Sequence, residues 1–315
     1  MTERVAAIDI GTNTVLMLVA DATPRGLEPV QERFEITRLG EGVDRARRIA
    51  EAPAARTLGC LERYAAELGR LGVDRVAAVG TSALRDADGG AQFLRDAERV
   101  LGTRPRVIDG ELEAALTCQG ALSGLSVELA SAGSEPEPIV VFDVGGGSTE
   151  LIETTLTRPR QARCWQSLDV GSVRLTERCF RSDPPEPGEL ERARALVREA
   201  LRSWQRPQPA RVVGVAGTVT TLSALAQALP RYDSTRVHGS TLPLDRVVTL
   251  TERLAQVPTA ERARIPALEP GRADVIVAGG LLVAAVLEHL GAESCLVSER
   301  GVRWGLAERL ASGEW

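Results

Sequence analysis

The sequence predicts an α/β protein built from two related halves, and three observations carry that prediction. A short pattern occurs twice: Val5-Ala6-Ala7-Ile8-Asp9-Ile10-Gly11-Thr12-Asn13-Thr14 is echoed by Ile139-Val140-Val141-Phe142-Asp143-Val144-Gly145-Gly146-Gly147-Ser148-Thr149. Each copy is an apolar run closed by a lone Asp, then a small apolar residue, then glycine and hydroxyl residues, then a further apolar run. Strand-like and helix-like segments alternate on both sides of the middle, as layered α/β units require. Between them, residues 126–137 are rich in Ser, Gly, Glu and Pro and read as a linker. At 315 residues and 43% hydrophobic content the chain supports two domains with a sizeable core. The boundaries fall at 1–125 and 138–300, and a last helix over 301–312 is expected to pack back on the first domain.

Residues 1–20 read as a hairpin folded round the first glycine loop. No helix follows those glycines, which argues against a Walker loop and a dinucleotide fingerprint. The Ala-, Leu- and Arg-rich stretch 52–71 reads as a helix with Gly72 as its C-cap. Arg75 to Val79 is a strand that runs into Gly80-Thr81-Ser82-Ala83-Leu84-Arg85. A helix over 91–101, a short strand Arg106-Val107-Ile108 and a helix from Gly110 to Leu122 complete the first half. After the linker comes the second hairpin. Pro184-Pro185-Glu186-Pro187-Gly188 is a turn that leads into a helix over 189–204. Arg211 to Ala216 is a strand ending at Gly217-Thr218-Val219-Thr220, with a helix behind it. Ile276 to Leu290 reads as a helix, Ser294 to Ser298 as a strand, and Gly301 to Leu310 as the last helix.

The composition excludes several classes. Net charge is −5, so a nucleic-acid partner has no general electrostatic support and none is expected. The 38 basic residues are all Arg, which reads as compositional bias. Cys60, Cys118, Cys164, Cys179 and Cys295 include no CxxC pair, which argues against a zinc or redox motif and for a reduced, cytoplasmic chain. The first residues lack the basic and long apolar regions of a secretory signal. The longest apolar stretch, Ala273 to Leu287, is interrupted by Asp274 and two glycines and is too short for a membrane span.

The repeated loops carry the chemistry. Glycine lets the backbone approach a ligand and aim several N–H groups at one point, a cradle for phosphate. An Asp beside it suits Mg²⁺, which commonly takes one or two carboxylates plus phosphate oxygens. Ordinary turn glycines would explain either hairpin. They do not explain an Asp closing both buried strands, because an unpaired buried carboxylate is costly. Two such loops imply a phosphate-handling cleft between the halves. In the run from Gly80 to Arg85, Thr81 and Ser82 either cap the next helix or aim hydroxyls and N–H groups at an anion, and Arg85 can add a bidentate contact. Glu111 and Glu113 suit a helix start, and being two residues apart they point in different directions. The run from Gly214 to Thr220, with Gly217 and Thr218, is either a further phosphate contact or plain close packing. His289, at the end of an apolar helix, reads as structural, so a Ser-His-Asp triad would rest on His238 alone.

Taken in order, Asp9 to Thr14, Arg38-Leu39-Gly40-Glu41-Gly42, Gly80 to Arg85, Glu113-Ala114, Asp143 to Glu150, Gly171-Ser172-Val173-Arg174-Leu175, Gly217-Thr218 and Val297-Ser298-Glu299-Arg300-Gly301 form a specific set. On these residues the chain resembles the exopolyphosphatase / guanosine pentaphosphate phosphohydrolase family, a branch of the actin, sugar-kinase and Hsp70-type ATPase fold. Glu299 stands where Asp is commoner, and Thr14 where Ser is frequent. The resemblance implies two actin-like (ribonuclease H-like) domains and Mg²⁺-dependent hydrolysis of a terminal phosphoanhydride. It makes Glu113 the catalytic base and Asp143 the carboxylate that works with the metal and the attacking water. Asp9 and Glu150 join Asp143 as metal-site acids. Gly11, Thr12, Asn13, Gly145, Gly146, Gly147 and Ser148 form the phosphate cradles, and Thr81, Ser82, Arg85, Gly217 and Thr218 add phosphate contacts.

The function this implies is release of orthophosphate from the end of inorganic polyphosphate. The near alternative is a guanosine pentaphosphate 5′-phosphohydrolase, because both substrates present a terminal anhydride phosphate. A small-molecule kinase of the same fold and a non-catalytic sensor of ADP, ATP or guanosine tetraphosphate are more distant. A homodimer is expected from family habit.

Overall fold

The structure, a computed structural model, describes residues 3–88, 90–125, 138–155, 163–205, 209 and 211–315. The expected linker, 126–137, lies outside them. The chain divides into two compact units, Met1–Gly120 with Val302–Trp315, and Ala121–Gly301.

The first unit is one sheet with helices on both faces. Its strands are β1 (Glu3–Ile10), β2 (Thr14–Thr23), β3 (Gly26–Ile36), β4 (Arg75–Gly80) and β5 (Arg106–Val107), in the order β3-β2-β1-β4-β5. β1 runs antiparallel to β2 and parallel to β4. The helices are α1 (Val43–Ala46), α2 (Glu51–Leu71), α3 (Ser82–Asp86), α4 (Gly90–Leu101) and α5 (Gly110–Leu122), joined by the helix Val302–Ser312. Successive residues of a strand face opposite sides, and β1 uses both. Ala6, Ile8 and Ile10 meet Cys60, Leu61, Tyr64 and Phe93 in one core. Val5 and Ala7 meet Leu18, Ile108, Leu116 and Trp304 in the other. Asp9 continues the second series, so it faces the side covered by α5 and the helix Val302–Ser312. Those two helices pack closely at Gly305, where a Cβ would lie 2.1 Å from the Leu116 carbonyl oxygen. α2 ends at Gly72 in the left-handed conformation (φ 62°), with its N–H on the Gly69 and Leu68 carbonyls.

The second unit repeats the plan. Its strands are β6 (Ile139–Val144), β7 (Thr149–Thr154), β8 (Cys164–Leu168), β9 (Arg211–Val215), β10 (Thr241–Pro243) and β11 (Ser294–Val297). The order β10-β11-β9-β6-β7-β8, read backwards, reproduces that of the first sheet from β8 to β11 and adds β10 at the edge. The helices are α6 (Ser172–Cys179), α7 (Pro187–Leu201), α8 (Ala216–Ala226), α9 (Ser234–Val237), α10 (Leu244–Ala255), α11 (Thr259–Arg262) and α12 (Ile276–Leu290), and the helix Val302–Ser312 of the first unit is α13. Apolar almost all round, α12 runs through one large core with Val140, Phe142 and Val144.

Three of the expected elements differ from the sequence reading, which gave none for β3, β8 or β10. α7 starts at Pro187, two residues early, because Glu186 and Glu189 form a capping box with Pro187 in the first turn. α8 starts at Ala216, so Gly217 and Thr218 lie in its first turn and not in a loop before it. Thr81 precedes a helix of only five residues and makes no side-chain cap bond. None of the five cysteines is joined in a disulfide. Among the described residues no helix is long and apolar enough to cross a membrane.

Candidate active site

The two glycine loops have the same backbone. Ile10 pairs with Val15, and Val144 with Thr149. Gly11 N–H donates to Thr14 O at 3.0 Å, and Gly145 N–H to Ser148 O at 3.0 Å. Each loop is tied from behind through its carbonyls. Thr37 and Arg38 N–H donate to Asn13 O, and Gly40 N–H to Thr12 O at 2.8 Å. In the second loop Ser172 N–H donates to Gly145 O, and Val173 and Arg174 N–H to Gly146 O. A glycine makes each approach possible: a Cβ on Gly40 would lie 2.2 Å from Thr12 Cγ2, and one on Gly171 would lie 2.5 Å from Gly146 O. The N–H groups of Thr12, Asn13, Gly146 and Gly147 donate to no backbone carbonyl among the described residues. They are the donors a phosphate would use.

In the first unit these donors stand near a set of charged side chains. Asp9 is buried, and its Oδ1 has no hydrogen-bond partner among the described residues. Burial pushes its carboxyl up to about 7; the Glu113 carboxylate adds to the rise, and Arg303 opposes it. Glu113 arrives through α5. Asp109 Oδ1 accepts from Leu112 N–H at 2.9 Å and fixes where that helix begins. Glu113 and Leu116 then share a helix face, and Leu116 packs into the core beneath β1. Glu113 is buried and Glu111 exposed, so one acid of that pair turns inward. Arg85, from α3, donates through Nη1 to Glu113 Oε2 at 2.8 Å and to Ile108 O at 3.2 Å. Ser82 Oγ donates to Asp86 Oδ2 at 3.3 Å. Arg303, a residue the sequence reading did not single out, donates through Nη2 to Glu32 Oε2 at 2.7 Å.

In the second unit Asp143 and Glu150 stand directly opposite each other on the antiparallel β6–β7 pair. Such positions share a face of the sheet, with Cβ atoms about 5 Å apart. Glu150 is buried, and its Oε1 accepts from Ser167 Oγ at 2.7 Å. The sequence reading also missed Arg272. Its guanidinium lies over Gly217, where a Cβ would come 1.8 Å from Nη1. Burial pulls its pKa down to about 10, with Glu269 the acid that opposes the fall. No side-chain hydrogen bond or ion pair holds this guanidinium among the described residues. Gly217 lies in the first turn of α8, next to Ala216, a non-glycine residue in the left-handed region (φ 71°). A cation with no side-chain hydrogen bond at a helix N-terminus is an arrangement an anion would complete. No spacing rule marks Arg272, because it comes from a distant single-turn helix, Pro270–Arg272.

His289 Nε2 lies 2.7 Å from Trp204 O and has a structural place. His238 Nδ1 accepts from Glu299 N–H at 3.3 Å.

A divalent cation fits the acids present. Asp9 offers a buried carboxylate oxygen that no protein donor uses, and Asp143 and Glu150 are hard oxygen donors of the same kind. Among the described residues no three His, Cys, Asp or Glu side chains converge as a self-sufficient metal cage. Mg²⁺ needs none, since it is usually bound by one or two carboxylates, water and substrate phosphate.

Residues 18–312 match the model of the Ppx/GppA phosphatase family. The chain belongs to that family. The Exopolyphosphatase 2 of Mycobacterium tuberculosis is 40% identical over 325 aligned positions, covering 98% of each chain. Among solved Ppx/GppA-type structures, an exopolyphosphatase-like protein superposes with a TM-score of 0.89 at 31% identity, covering 99% of both chains. The Aquifex aeolicus member superposes with a TM-score of 0.80 at 31% identity, covering 100% of this chain and 98% of its own. The α/β architecture is the actin-like one the sequence implied for a Ppx/GppA member.

Proposed function

We propose that this protein is an exopolyphosphatase that releases orthophosphate from the end of inorganic polyphosphate, with residues of both units needed in each turnover. The observation that carries this reading is Asp9. A carboxylate buried at the foot of a loop of open N–H groups, with an oxygen no donor satisfies, calls for a cation that brings an anion with it. The 40% identity to an exopolyphosphatase over the full length supports the substrate.

Phosphoryl transfer asks little covalent work of a protein; positioning and charge neutralisation supply most of the catalysis. The N–H groups of the two loops bind oxygens of the chain end. Arg85 and Arg272 add positive charge, and Thr81, Ser82, Ser148 and Thr218 offer hydroxyls. Asp9, Asp143 and Glu150 would hold Mg²⁺, which when bound neutralises phosphate oxygens. Glu113 takes a proton from a water molecule as the water oxygen bonds to the terminal phosphorus. The bond from that phosphorus to the bridging oxygen breaks, and the electron pair stays on the shortened chain. Five cysteines with no disulfide among them suit action in a reducing, cytoplasmic setting.

The test is orthophosphate release from short polyphosphate, long polyphosphate, guanosine pentaphosphate and ATP, with Mg²⁺ and with chelator. Release from polyphosphate that chelator abolishes is expected. Glu113→Gln should lower kcat about 10²- to 10⁴-fold, the usual worth of a general base, while the chain still binds. Release from guanosine pentaphosphate alone would move the assignment to that substrate, and no release from any of the four would overturn it.

A further inference from the structure

We propose that Arg85 holds Glu113 in reserve in the ligand-free protein, and that an arriving phosphate chain frees Glu113 by taking Arg85. This inference rests on the reading of Glu113 as the base. Two roles assigned to neighbouring groups are in conflict while the pair is closed. A guanidinium that binds phosphate must turn its N–H groups to the ligand, and a carboxylate that takes a proton from water must turn a lone pair to that water. Here Arg85 Nη1 and Glu113 Oε2 are 2.8 Å apart and bonded to each other. The same Nη1 also donates to Ile108 O, so backbone and carboxylate together fix its place.

The pair is shielded, with side-chain exposures of 27% for Arg85 and 10% for Glu113. Charge-assisted hydrogen bonds of this kind are stronger than neutral ones. The lone pair of an oxygen engaged in one is already taken by the Arg85 N–H and is not presented to water. Phosphate is the rival able to break it, since it carries more charge and presents several oxygens to the planar fork of Arg. Arg85 sits on α3 and Glu113 on α5, so the exchange requires side-chain rotation and no rearrangement of the sheet. Substrate binding and activation of the base become one event.

A double-mutant binding cycle tests this. A methylene-bridged triphosphate that cannot be hydrolysed is titrated calorimetrically, with Mg²⁺, into the wild type, Glu113→Gln, Arg85→Ala and the double variant. Glu113→Gln should tighten binding about tenfold in the wild-type background, the worth of one charge-assisted hydrogen bond released from competition. In the Arg85→Ala background the same change should alter affinity by less than about twofold. An equal gain in both backgrounds would mean plain charge repulsion and would overturn the exchange, as would no gain in the wild type. If Arg85→Ala fails to fold, Arg85→Gln takes its place in the cycle. Unimpaired hydrolysis by Glu113→Gln would remove the base role itself, whichever way the cycle falls.

Discussion

The hairpin of the first unit and that of the second superimpose in their hydrogen-bond pattern and part company in their charges. Both turns close with an N–H to carbonyl bond of 3.0 Å, from Gly11 to Thr14 and from Gly145 to Ser148. In both, an Asp is the last residue but one of the entering strand. Opposite Asp9 stands Leu16, while opposite Asp143 stands Glu150. One cross-strand position therefore decides whether a loop owns one acid or two. The first acid has no hydrogen-bond donor on Oδ1 among the described residues and is hard to ionise, whereas Glu150 in the second pair receives a hydroxyl from Ser167. Backbone shape and charge are separately adjustable, so one duplicated scaffold can serve two halves of a reaction.

Removing either Asp probes this comparison most severely. Asp9→Asn and Asp143→Asn should each lower kcat for orthophosphate release on the order of 10³-fold, since charge stabilisation at a phosphoryl group is worth several kcal/mol. Loss in the Asp9 variant alone would show that the second hairpin is a structural echo.

A smaller effect separates the hairpins by ionisation. Because the folded carboxyl of Asp9 is raised to about 7, folding favours its protonated form. That contribution to stability is fully present below the unfolded value near 4 and is lost as pH rises through about 7. In chelator, Asp9→Asn should therefore stabilise the protein at pH 8 by no more than about 4 kcal/mol, with the gap closing toward pH 4. Urea unfolding at the two pH values measures it, and a gap independent of pH would mean that ionisation does not distinguish the first hairpin. The mildest change is Ser167→Ala, which removes the hydroxyl bond to Glu150 and should cost about 1 kcal/mol of stability. No hydroxyl donates to Asp9 among the described residues. A Ser167→Ala protein as stable as the wild type would make that difference between the hairpins inconsequential.

What could be read in the sequence was local. Both hairpins and the α2 helix with its Gly72 cap follow from period, spacing and glycine placement; spacing says only that Glu111 and Glu113 face different ways, and the choice of Glu113 comes from the family resemblance. What escaped was non-local or masked by polarity. β3 is an edge strand whose Glu28, Pro29, Gln31, Glu32 and Arg33 hide its two-residue period. β8 is short and half-exposed, and so carries little apolar signal. Arg272 reaches Gly217 across a separation that no pattern encodes. The Arg85–Glu113 bond joins two residues that the resemblance singled out separately, while their contact depends on how α3 and α5 lie against the sheet. The start of α8 was misplaced because Ala216 takes a left-handed turn usually left to glycine.

The helix Val302–Ser312 has a consequence for how the molecule is made. It lays Val302, Trp304, Leu306 and Leu310 against Val5, Ala7 and Leu18 of β1 and β2, which precede it in the chain. All of residues 121–301 leave the ribosome before it does. Until then that side of the first sheet has Ile108 and Leu116 against it but lacks Val302, Trp304, Leu306 and Leu310, so the earlier-made unit is completed last.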